Sequence, residues 1–331
     1  MGGQPENTNM MGGPILPLAC YRLCFRATDD LRLPAYTGSA WRGVFGRALK
    51  RLVCVTREPE CPHCLLYRSC IYPYLFETPP DPGVGKLTKY TAAPHPYVLV
   101  PDAHGGVIRH GETLSLDVTL LGHGNRHLPY VIHALQQAGQ RGLGADRSAL
   151  ELLDVAQADG DDWHLIYVPG GALTPRPAIT PITPSVPERL VVHLLSPLRL
   201  TQEKRLVSQG RLRFHLLFSN LLRRISLLTA FHTDTPLDTD FAGLSQSAHA
   251  VELTGARLRW HDWVRYSSRQ DALIQMGGLV GEIELAGAGL EPFWPYLWLG
   301  QCRHSAPPIP NWHINRHSVR RGWRARFGGG Y

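Results

Sequence analysis

Four cysteines lie close together in the first quarter of the chain and form its clearest chemical motif. Of the seven cysteines in 331 residues, four fall within seventeen residues at the spacing C-x6-C-x2-C-x5-C: Cys54, Cys61, Cys64 and Cys70. The Cys-x2-Cys turn lets two thiolates reach one ion, and two more complete the tetrahedral set that Zn²⁺ takes at about 2.3 Å. The spacing therefore predicts a structural Zn²⁺ site at residues 54–70. An iron–sulfur cluster accepts the same four thiolates, and disulfides or buried free thiols are the alternatives without metal.

The basic residues are unevenly distributed, and almost all of them are arginine. The formal net charge is +7, and only four of the 34 basic residues are lysines. The planar arginine fork pairs with phosphate and stacks on bases, whereas a genome rich in G and C is an alternative reason for the same bias. Residues 301–331 carry six arginines and no acidic residue. This segment predicts either a nucleic-acid contact or an unstructured basic end.

Composition divides the chain into two domains joined by a linker. Residues 1–14 lack the charged and apolar regions of a signal peptide and are expected to form a flexible leader. Residues 169–187 contain six prolines, a density typical of an extended, semi-rigid linker. We therefore expect an N-terminal domain at 15–168, a C-terminal domain at 188–304 and a basic, atypical tail at 305–331. No run of eighteen apolar residues occurs, so we expect a cytoplasmic protein that does not associate with membranes.

The periodicity of apolar residues predicts the same order of elements in both domains. Apolar and polar residues alternate within 15–33, which is the period of a strand, and residues 38–52 have the spacing of an amphipathic helix. Residues 212–231 carry the longest helical pattern of the second half. The complete order is strand–helix–strand–strand–helix–strand, twice. The predicted class is α+β: two tandem ferredoxin-like (RRM-like, βαββαβ) domains, with the cysteine loop as a small zinc-ribbon insertion.

Cationic and aromatic residues stand together on a predicted hairpin of the second domain. Arg265, Tyr266 and Arg269 follow two tryptophans, and this combination suits an RNA single strand or the edge of an RNA stem. A solvated strand face is the alternative interpretation. On the helix at 212–231, Arg223 and Arg224 are the further cations that we expect to contact RNA.

Several short motifs occur in an order that resembles one known family. They are residues 34–46 (PAYTGSAWRGVFG), the four cysteines, Tyr72 with residues 76–77, residues 265–270, Gly277-Gly278 with Gly281, and residues 299–301 with His304. Together they resemble the CRISPR-associated repeat-processing endoribonucleases, the sixth Cas family of the RAMP superfamily, in the branch that carries a cysteine ribbon. The resemblance covers most of residues 15–304. After His304 the Val-Gly-Lys and glycine loop of that family are replaced, and only residues 328–331 are similar to the loop.

The resemblance implies a reaction and a set of partners. It implies cleavage of precursor crRNA in the CRISPR repeat without a catalytic metal. In that reaction the ribose 2′-hydroxyl attacks the adjacent phosphate, a general base takes its proton, and cations stabilise the developing charge. The products carry a 2′,3′-cyclic phosphate and a 5′-hydroxyl, and the crRNA hairpin is expected to stay bound. Other Cas proteins of an effector complex are the expected protein partners.

The resemblance also implies a catalytic group around the first helix. Its candidate members are Tyr36, Arg42, Arg47 and Lys50. Tyr36 matches a catalytic position of the family, and Arg47 stands where relatives carry histidine. Helical spacing places Arg47 and Lys50 on neighbouring surface, with Arg42 further round. No histidine occurs in residues 15–62, and arginine is a poor base, so the general base is unassigned.

Arg303 and His304 near the C-terminal end complete the residues expected to bind RNA. His304 matches a position of the family, and Arg303 is the first arginine of the acid-free segment. The missing helix histidine favours an alternative function, a non-catalytic crRNA-binding subunit of a CRISPR effector complex.

Overall fold

Two antiparallel sheets, each packed against α-helices, make up the protein. The computed structural model describes residues 13–34, 37–79, 93–102, 105–144, 146–267, 272–301 and 312–316. Each sheet has its own hydrophobic core. The class is therefore α+β, as predicted.

The N-terminal domain contains seven strands and two α-helices in its described part. They are β1 (Leu18–Ala27), β2 (Leu31–Leu33), α1 (Thr37–Val53), β3 (Tyr97–Pro101), β4 (Gly106–Ile108), β5 (Thr113–Leu121), α2 (Leu128–Gln140), β6 (Leu150–Asp159) and β7 (Asp162–Tyr167). Five strands form one sheet in the order β3-β5-β1-β6-β7, and β2 pairs with β4. Without the short β2–β4 ladder and the added β7, the order β1-α1-β3-β5-α2-β6 is the predicted βαββαβ arrangement.

The sequence pattern of β1 and α1 explains how they pack together. In β1, Tyr21 and Phe25 are at most 2% exposed, whereas Arg22 lies on the opposite face of the sheet. In α1, Trp41 and Phe45 are fully buried, and the ring centroids of Phe25 and Trp41 are 5.1 Å apart. Burial of each such side chain stabilises the fold by about 1.5–3 kcal/mol. This packing fixes α1 on the sheet and turns its arginines toward the domain interface or solvent.

The C-terminal domain repeats the arrangement with larger inserted segments. Its elements are β8 (Arg189–Leu198), β9 (Thr201–Gln202), β10 (Arg205–Leu206), α3 (Phe214–His232), α4 (Phe241–Ser247), β11 (Gly255–Ser267), β12 (Ala272–Ala286), α5 (Trp294–Gly300) and β13 (Trp312–Arg316). The main sheet has the order β11-β12-β8-β13, and β9 pairs with β10. Strands β8, β11, β12 and β13 thus correspond to β1, β3, β5 and β6 of the first domain, and they lie in the same order within their sheet. In the described ranges no helix is both long enough and apolar enough to cross a membrane.

The last strand of the second domain lies in the segment that the sequence interpretation assigned to the tail. Strand β13 pairs with β8 from Trp312↔Leu194 to Arg316↔Leu190. The boundary predicted at residue 304 is therefore too early, because the fourth strand of the C-terminal sheet comes from 305–331. The sequence pattern did not predict this strand, because prolines precede it and arginines surround it. Pairing satisfies the backbone N–H and C=O groups on the outer edge of β8, which a domain ending at 304 would leave open.

The proline-rich linker is extended and bonded to both domains. Ile179 exchanges two backbone hydrogen bonds with Leu18, at 2.9 and 3.1 Å. The side-chain amide of Gln157 bonds the backbone of Arg176 at both its N–H and its carbonyl, at 2.8 and 3.0 Å. Further on, Trp294 Nε1 donates to the carbonyl of Pro184 at 2.6 Å. These contacts hold the two domains at a defined separation.

Candidate functional site

The four predicted metal ligands surround one small cavity at the end of α1. The loop begins directly after the helix, and a 3₁₀ turn at Cys61–His63 brings Cys61 and Cys64 close together, with the Cys64 N–H donating to the Cys61 carbonyl at 2.9 Å. Cys54 and Cys70 complete a cavity of about 20 Å³ that all four thiols line. A cavity of this size holds roughly one water molecule. His63 is not one of the lining residues; it faces Glu60 at 3.6 Å, and both side chains are exposed.

The hydrogen bonds around Cys64 orient one of these thiols. Its sulfur accepts from the Leu66 N–H at 3.4 Å and lies 3.2 Å from Thr56 Oγ1. All six cysteines in the described ranges are free thiols. Within the same ranges, no three His, Cys, Asp or Glu side chains are close enough together to hold an ion. The donor set fits a tetrahedral thiolate site chemically.

The cations of α1 do not form one group. Lys50 donates to the Pro59 carbonyl at 3.0 Å and lies 5.6 Å from the ring centroid of Tyr72, so its ammonium holds the cysteine loop. Arg47 is exposed, and Arg42 points inward. In this arrangement the ammonium of Lys50 donates to the loop carbonyl, and the expected pairing of Arg47 with Lys50 at a phosphate stays a prediction.

Arg42 reaches the strand that follows the cysteine loop. Its Nη1 donates to the Tyr97 hydroxyl and its Nη2 to His95 Nε2, both at 2.9 Å. The guanidinium carbon also lies 5.1 Å from the centroid of the Phe76 ring. Burial raises the pKa of Tyr97 well above its usual value, so its hydroxyl stays neutral and accepts from Arg42.

Arg42 fixes which ring nitrogen of His95 carries the proton. Arginine only donates hydrogen bonds, so His95 Nε2 accepts, and Nδ1 carries the proton. Nδ1 lies 3.4 Å from Thr78 Oγ1. Burial, then the charges of Arg42 and Arg224, lower the pKa of His95 to about 3. This histidine is therefore neutral near pH 7, with each ring nitrogen already facing a polar partner.

A second histidine joins the two domains. His232, the last residue of α3, is 2% exposed and donates from Nε2 to the Pro94 carbonyl at 2.7 Å. Its Nδ1 then accepts from the Tyr74 hydroxyl at 3.0 Å. Burial is the main reason that the pKa of His232 falls to about 4. Neutral His232 thus links α3 of the C-terminal domain to two segments of the N-terminal domain.

Arg224 lies on α3, two helical turns before His232, and its side chain is only partly solvated. It is half-buried, and in the described ranges its buried Nε has no hydrogen-bond partner. Burial, then the charge of Arg223, lower the pKa of Arg224 to about 10. The neighbouring Arg223 is exposed. Arg42 and Arg224 therefore place two cations from different domains around His95, and we call Arg42, His95 and Arg224 the interface cluster.

Comparison with known proteins agrees with this organisation. Residues 192–305 match the family model described as CRISPR-associated endoribonuclease Cas6, and residues 16–178 match a model described as an N-terminal domain. Residues 192–305 therefore contain a Cas6 domain. The sequence-based recognition is confirmed for this domain, and the branch with a cysteine ribbon stays a prediction.

Individual relatives of the chain are distant. An uncharacterized protein of Archaeoglobus fulgidus is 28% identical over 127 residues, which cover 38% of this chain and 42% of that protein. A partial Cas6-RT-Cas1–Cas2 complex has a TM-score of 0.58 at 13% identity, covering 95% of this chain and 49% of that chain. A product complex of Thermus thermophilus Cas6 has a TM-score of 0.49 at 19% identity, covering 86% and 91%. The Cas6-RT-Cas1–Cas2 structure supports the fold alone.

The remaining predicted RNA contacts lie in different parts of the Cas6 fold. Arg265 and Tyr266 are on β11, where their backbones pair with Ile274 and Leu273. The following residues lie outside the described ranges: Tyr36, Arg269, Arg303 and His304. Sequence reasoning missed His95 and His232. The first follows a proline-flanked loop and the second ends an apolar helix, so neither spacing nor periodicity marks them as partners.

Proposed function

We propose that this protein binds CRISPR repeat RNA and cleaves precursor crRNA at one site. The interface cluster supports this function, because Arg42 and Arg224 concentrate positive charge between the domains and the Arg224 Nε has no partner among the described residues. A buried cation without a counter-charge is costly for a protein. An RNA phosphate is an anion that would balance it, and arginine binds phosphate through charge-assisted hydrogen bonds.

In the proposed reaction the RNA supplies its own nucleophile. The ribose 2′-hydroxyl loses its proton, its oxygen bonds to the adjacent phosphorus, and the bond to the 5′-oxygen of the next nucleotide breaks. The leaving oxygen takes up a proton, so the products are a 2′,3′-cyclic phosphate and a 5′-hydroxyl. Cationic side chains stabilise the extra charge on the phosphate, and no catalytic metal takes part.

Arg47 and Tyr36 are the proposed catalytic residues of the chain. Arg47 is exposed on α1 and is proposed to hold the scissile phosphate. Tyr36, which immediately precedes α1, is proposed to orient or deprotonate the 2′-hydroxyl. His95 and His232 are unsuited as the base, because hydrogen bonds engage both ring nitrogens of each. We expect Arg47→Ala to slow cleavage more than Tyr36→Phe does, because an unperturbed tyrosine pKa near 10 makes a weak base at neutral pH.

Arg42 and Lys50 are proposed to position this surface instead of contacting the reacting atoms. Arg42 bonds His95 and Tyr97, and Lys50 bonds the cysteine loop. Lys50→Met should therefore raise the RNA concentration needed for half-maximal cleavage and lower stability together. A loss of cleavage rate at saturating RNA, with unchanged stability, would instead return Lys50 to the catalytic group.

We propose that the cysteine loop binds one structural Zn²⁺ through its four thiols. The shared cavity and the N–H donor to Cys64 support this, since thiolate sulfur in metal sites commonly accepts such bonds. Zn²⁺ binding would draw the sulfurs together and so couple metal to local folding. Purified Cys61→Ser should carry less zinc per chain than the wild type and unfold at a lower temperature, whereas Cys24→Ser on β1 should match the wild type. Zinc-free wild-type protein, purified with its thiols reduced, would contradict the site.

The proposed RNA surface extends over both domains. Its further proposed contacts are exposed Arg223 on α3, Arg265, Tyr266 and Arg269 of the hairpin predicted from the sequence, and Arg303 and His304. One structure of similar fold is a Cas6-RT-Cas1–Cas2 complex, and we propose that this protein also joins other Cas proteins. The free thiols of the described cysteines suit the reducing cytoplasm.

A non-catalytic crRNA-binding subunit is the second candidate function. It is favoured by one observation: His95 and His232 are neutral, because burial lowers the pKa of each, and their ring nitrogens are already hydrogen-bonded. Such a protein would retain the hairpin and leave the precursor intact.

Incubation of purified protein with labelled repeat RNA, analysed on a denaturing gel, separates the two candidates. Cleavage at one site that persists in EDTA over short times is the expected result. A 2′-deoxy substitution immediately upstream of the cut should abolish it, because the nucleophile is removed. Tight binding of an intact repeat for hours would establish the second candidate, and absence of both binding and cleavage would overturn both.

A further inference from the structure

Strands β11 and β12 continue as a two-stranded ribbon beyond the C-terminal sheet. They pair along their whole length, from Gly255↔Glu284 to Ser267↔Ala272. The neighbouring strand β8 pairs with β12 only from Leu279 onward. Residues 272–278 and their partners therefore project past the last hydrogen-bonded neighbour, and we call this segment the ribbon.

Trp260 lies where the ribbon leaves the sheet. It is paired with Leu279 across the two strands, but its side chain is 37% exposed while Leu279 is 1% exposed. The other tryptophans of this domain with described side chains, Trp294 and Trp298, pack in or against the core. An exposed indole at this position costs hydrophobic free energy, so it calls for a role other than core packing.

The indole of Trp260 is held in one orientation. Its Nε1 donates to Asp262 Oδ1 at 2.9 Å. Its ring lies against Gly277, where a Cβ would come within 2.7 Å of the ring carbon Cζ2. A glycine in a strand interior often marks such a close approach. The ring is therefore fixed flat on the ribbon, and a ligand that stacks on it would find the side chain already ordered.

One arginine lies close to Trp260 on the same part of the ribbon. Arg199 Nη1 approaches the carbonyl of Gly277 at 3.4 Å, and Gly277 is the residue against which the indole lies. Arg259, the residue before Trp260, is exposed on the opposite face of β11. Arg199 is thus the cation positioned to contact a phosphate beside the indole.

We propose that Trp260 is a stacking platform for one unpaired nucleobase of RNA, with Arg199 beside the adjoining phosphate. The inference rests on the proposed RNA-binding function and assigns a site within it. Every base has a π-face that stacks on an aromatic ring, and cationic neighbours bind the backbone. An immobilised, partly exposed indole with Arg199 close by meets both requirements.

The test uses the full chain and repeat RNA carrying a fluorescent label. Trp260→Ala is expected to weaken binding by roughly 5- to 100-fold, the effect of losing one stacked base. Trp260→Phe keeps a ring and should lose less. Gly277→Ala pushes the indole off the ribbon and should resemble Trp260→Ala. Leu195→Ala, which truncates a side chain that is 70% exposed on β8, is the matched surface control and should bind as the wild type does.

A scan with abasic nucleotides distinguishes stacking from an effect on the fold. At the stacked position, removal of the base should weaken wild-type binding and leave Trp260→Ala unaffected, so the two losses are not additive. If wild-type protein binds the repeat and Trp260→Ala binds equally well, the platform is overturned while the proposed function stands. Additive losses at every abasic position would also overturn it. If wild-type protein binds no repeat RNA, the proposed function itself fails.

Discussion

Replacing His232 by glutamine should change how the stability of the protein depends on pH. Neutral His232 donates to Pro94 and accepts from Tyr74, and a glutamine amide offers one donor and one acceptor in nearly the same places. Glutamine does not titrate. The substitution therefore keeps most of the link between the domains and removes only its sensitivity to protons.

The expected magnitude follows from the two pKa values of this histidine. Burial lowers its pKa from 6.5 to about 4 in the folded protein, so between these values the unfolded chain binds the extra proton. Stability is then lost as pH falls below 6.5. Complete titration of the difference corresponds to about 3 kcal/mol, and roughly 2 kcal/mol is lost by pH 5. The nearby charges of His123 and Arg224 lower this pKa in the same direction.

Chemical denaturation of wild type and His232→Gln from pH 4 to pH 8 measures this effect. At pH 7.5 the variant should be less stable by about 1 kcal/mol, the usual cost of an imperfect hydrogen-bond replacement. Near pH 4.5 it should equal or exceed the wild type, because the wild type alone has to protonate a buried ring. Tyr74→Phe, which keeps the histidine, should retain the wild-type slope. A stability difference between His232→Gln and wild type that is constant with pH would refute the assigned state of His232.

Three further predictions test other parts of the molecule. Arg224→Met removes a desolvated charge but keeps much of the side-chain volume, so the temperature of thermal unfolding should be unchanged or higher. RNA affinity should fall, and the log–log slope of affinity against salt should fall by about 0.7 for a contact to a single strand. Unchanged affinity would contradict a phosphate contact. Ending the chain after His304 removes β13, so circular dichroism melts should show a less stable C-terminal domain, and an unaltered melt would contradict its pairing with β8. Gly122 has a φ of +50°, and a Cβ there would collide with the carbonyl of His232. Gly122→Ala should therefore lower the free energy of unfolding by about 1–3 kcal/mol. No change in a denaturant titration would show that the two domains shift apart easily.

The repeated fold could be predicted from the sequence because its signals are local. In β1, alternation of residues such as Tyr21 and Arg22 marks the buried and open faces, and in α1 the spacing of Trp41 and Phe45 marks the core side. These patterns arise from backbone periods of 2 and 3.6 residues, which act within one element. The cysteine spacing is equally local, and its four thiols do line one cavity.

Only the tertiary structure decided which side chains form the interface cluster and which strand completes the second sheet. Arg42 and His95 are 53 residues apart in the chain, and His232 bonds a carbonyl 138 residues away. Strand β13 has a weak pattern of its own, and its place follows from the open edge of β8. Lys50 likewise binds a backbone carbonyl of the cysteine loop, and the residue types in the sequence do not indicate such a contact. Amphipathic patterns determine which face of an element is buried, but partners across a domain interface depend on how whole elements are placed, and that placement is the outcome of packing two complete cores.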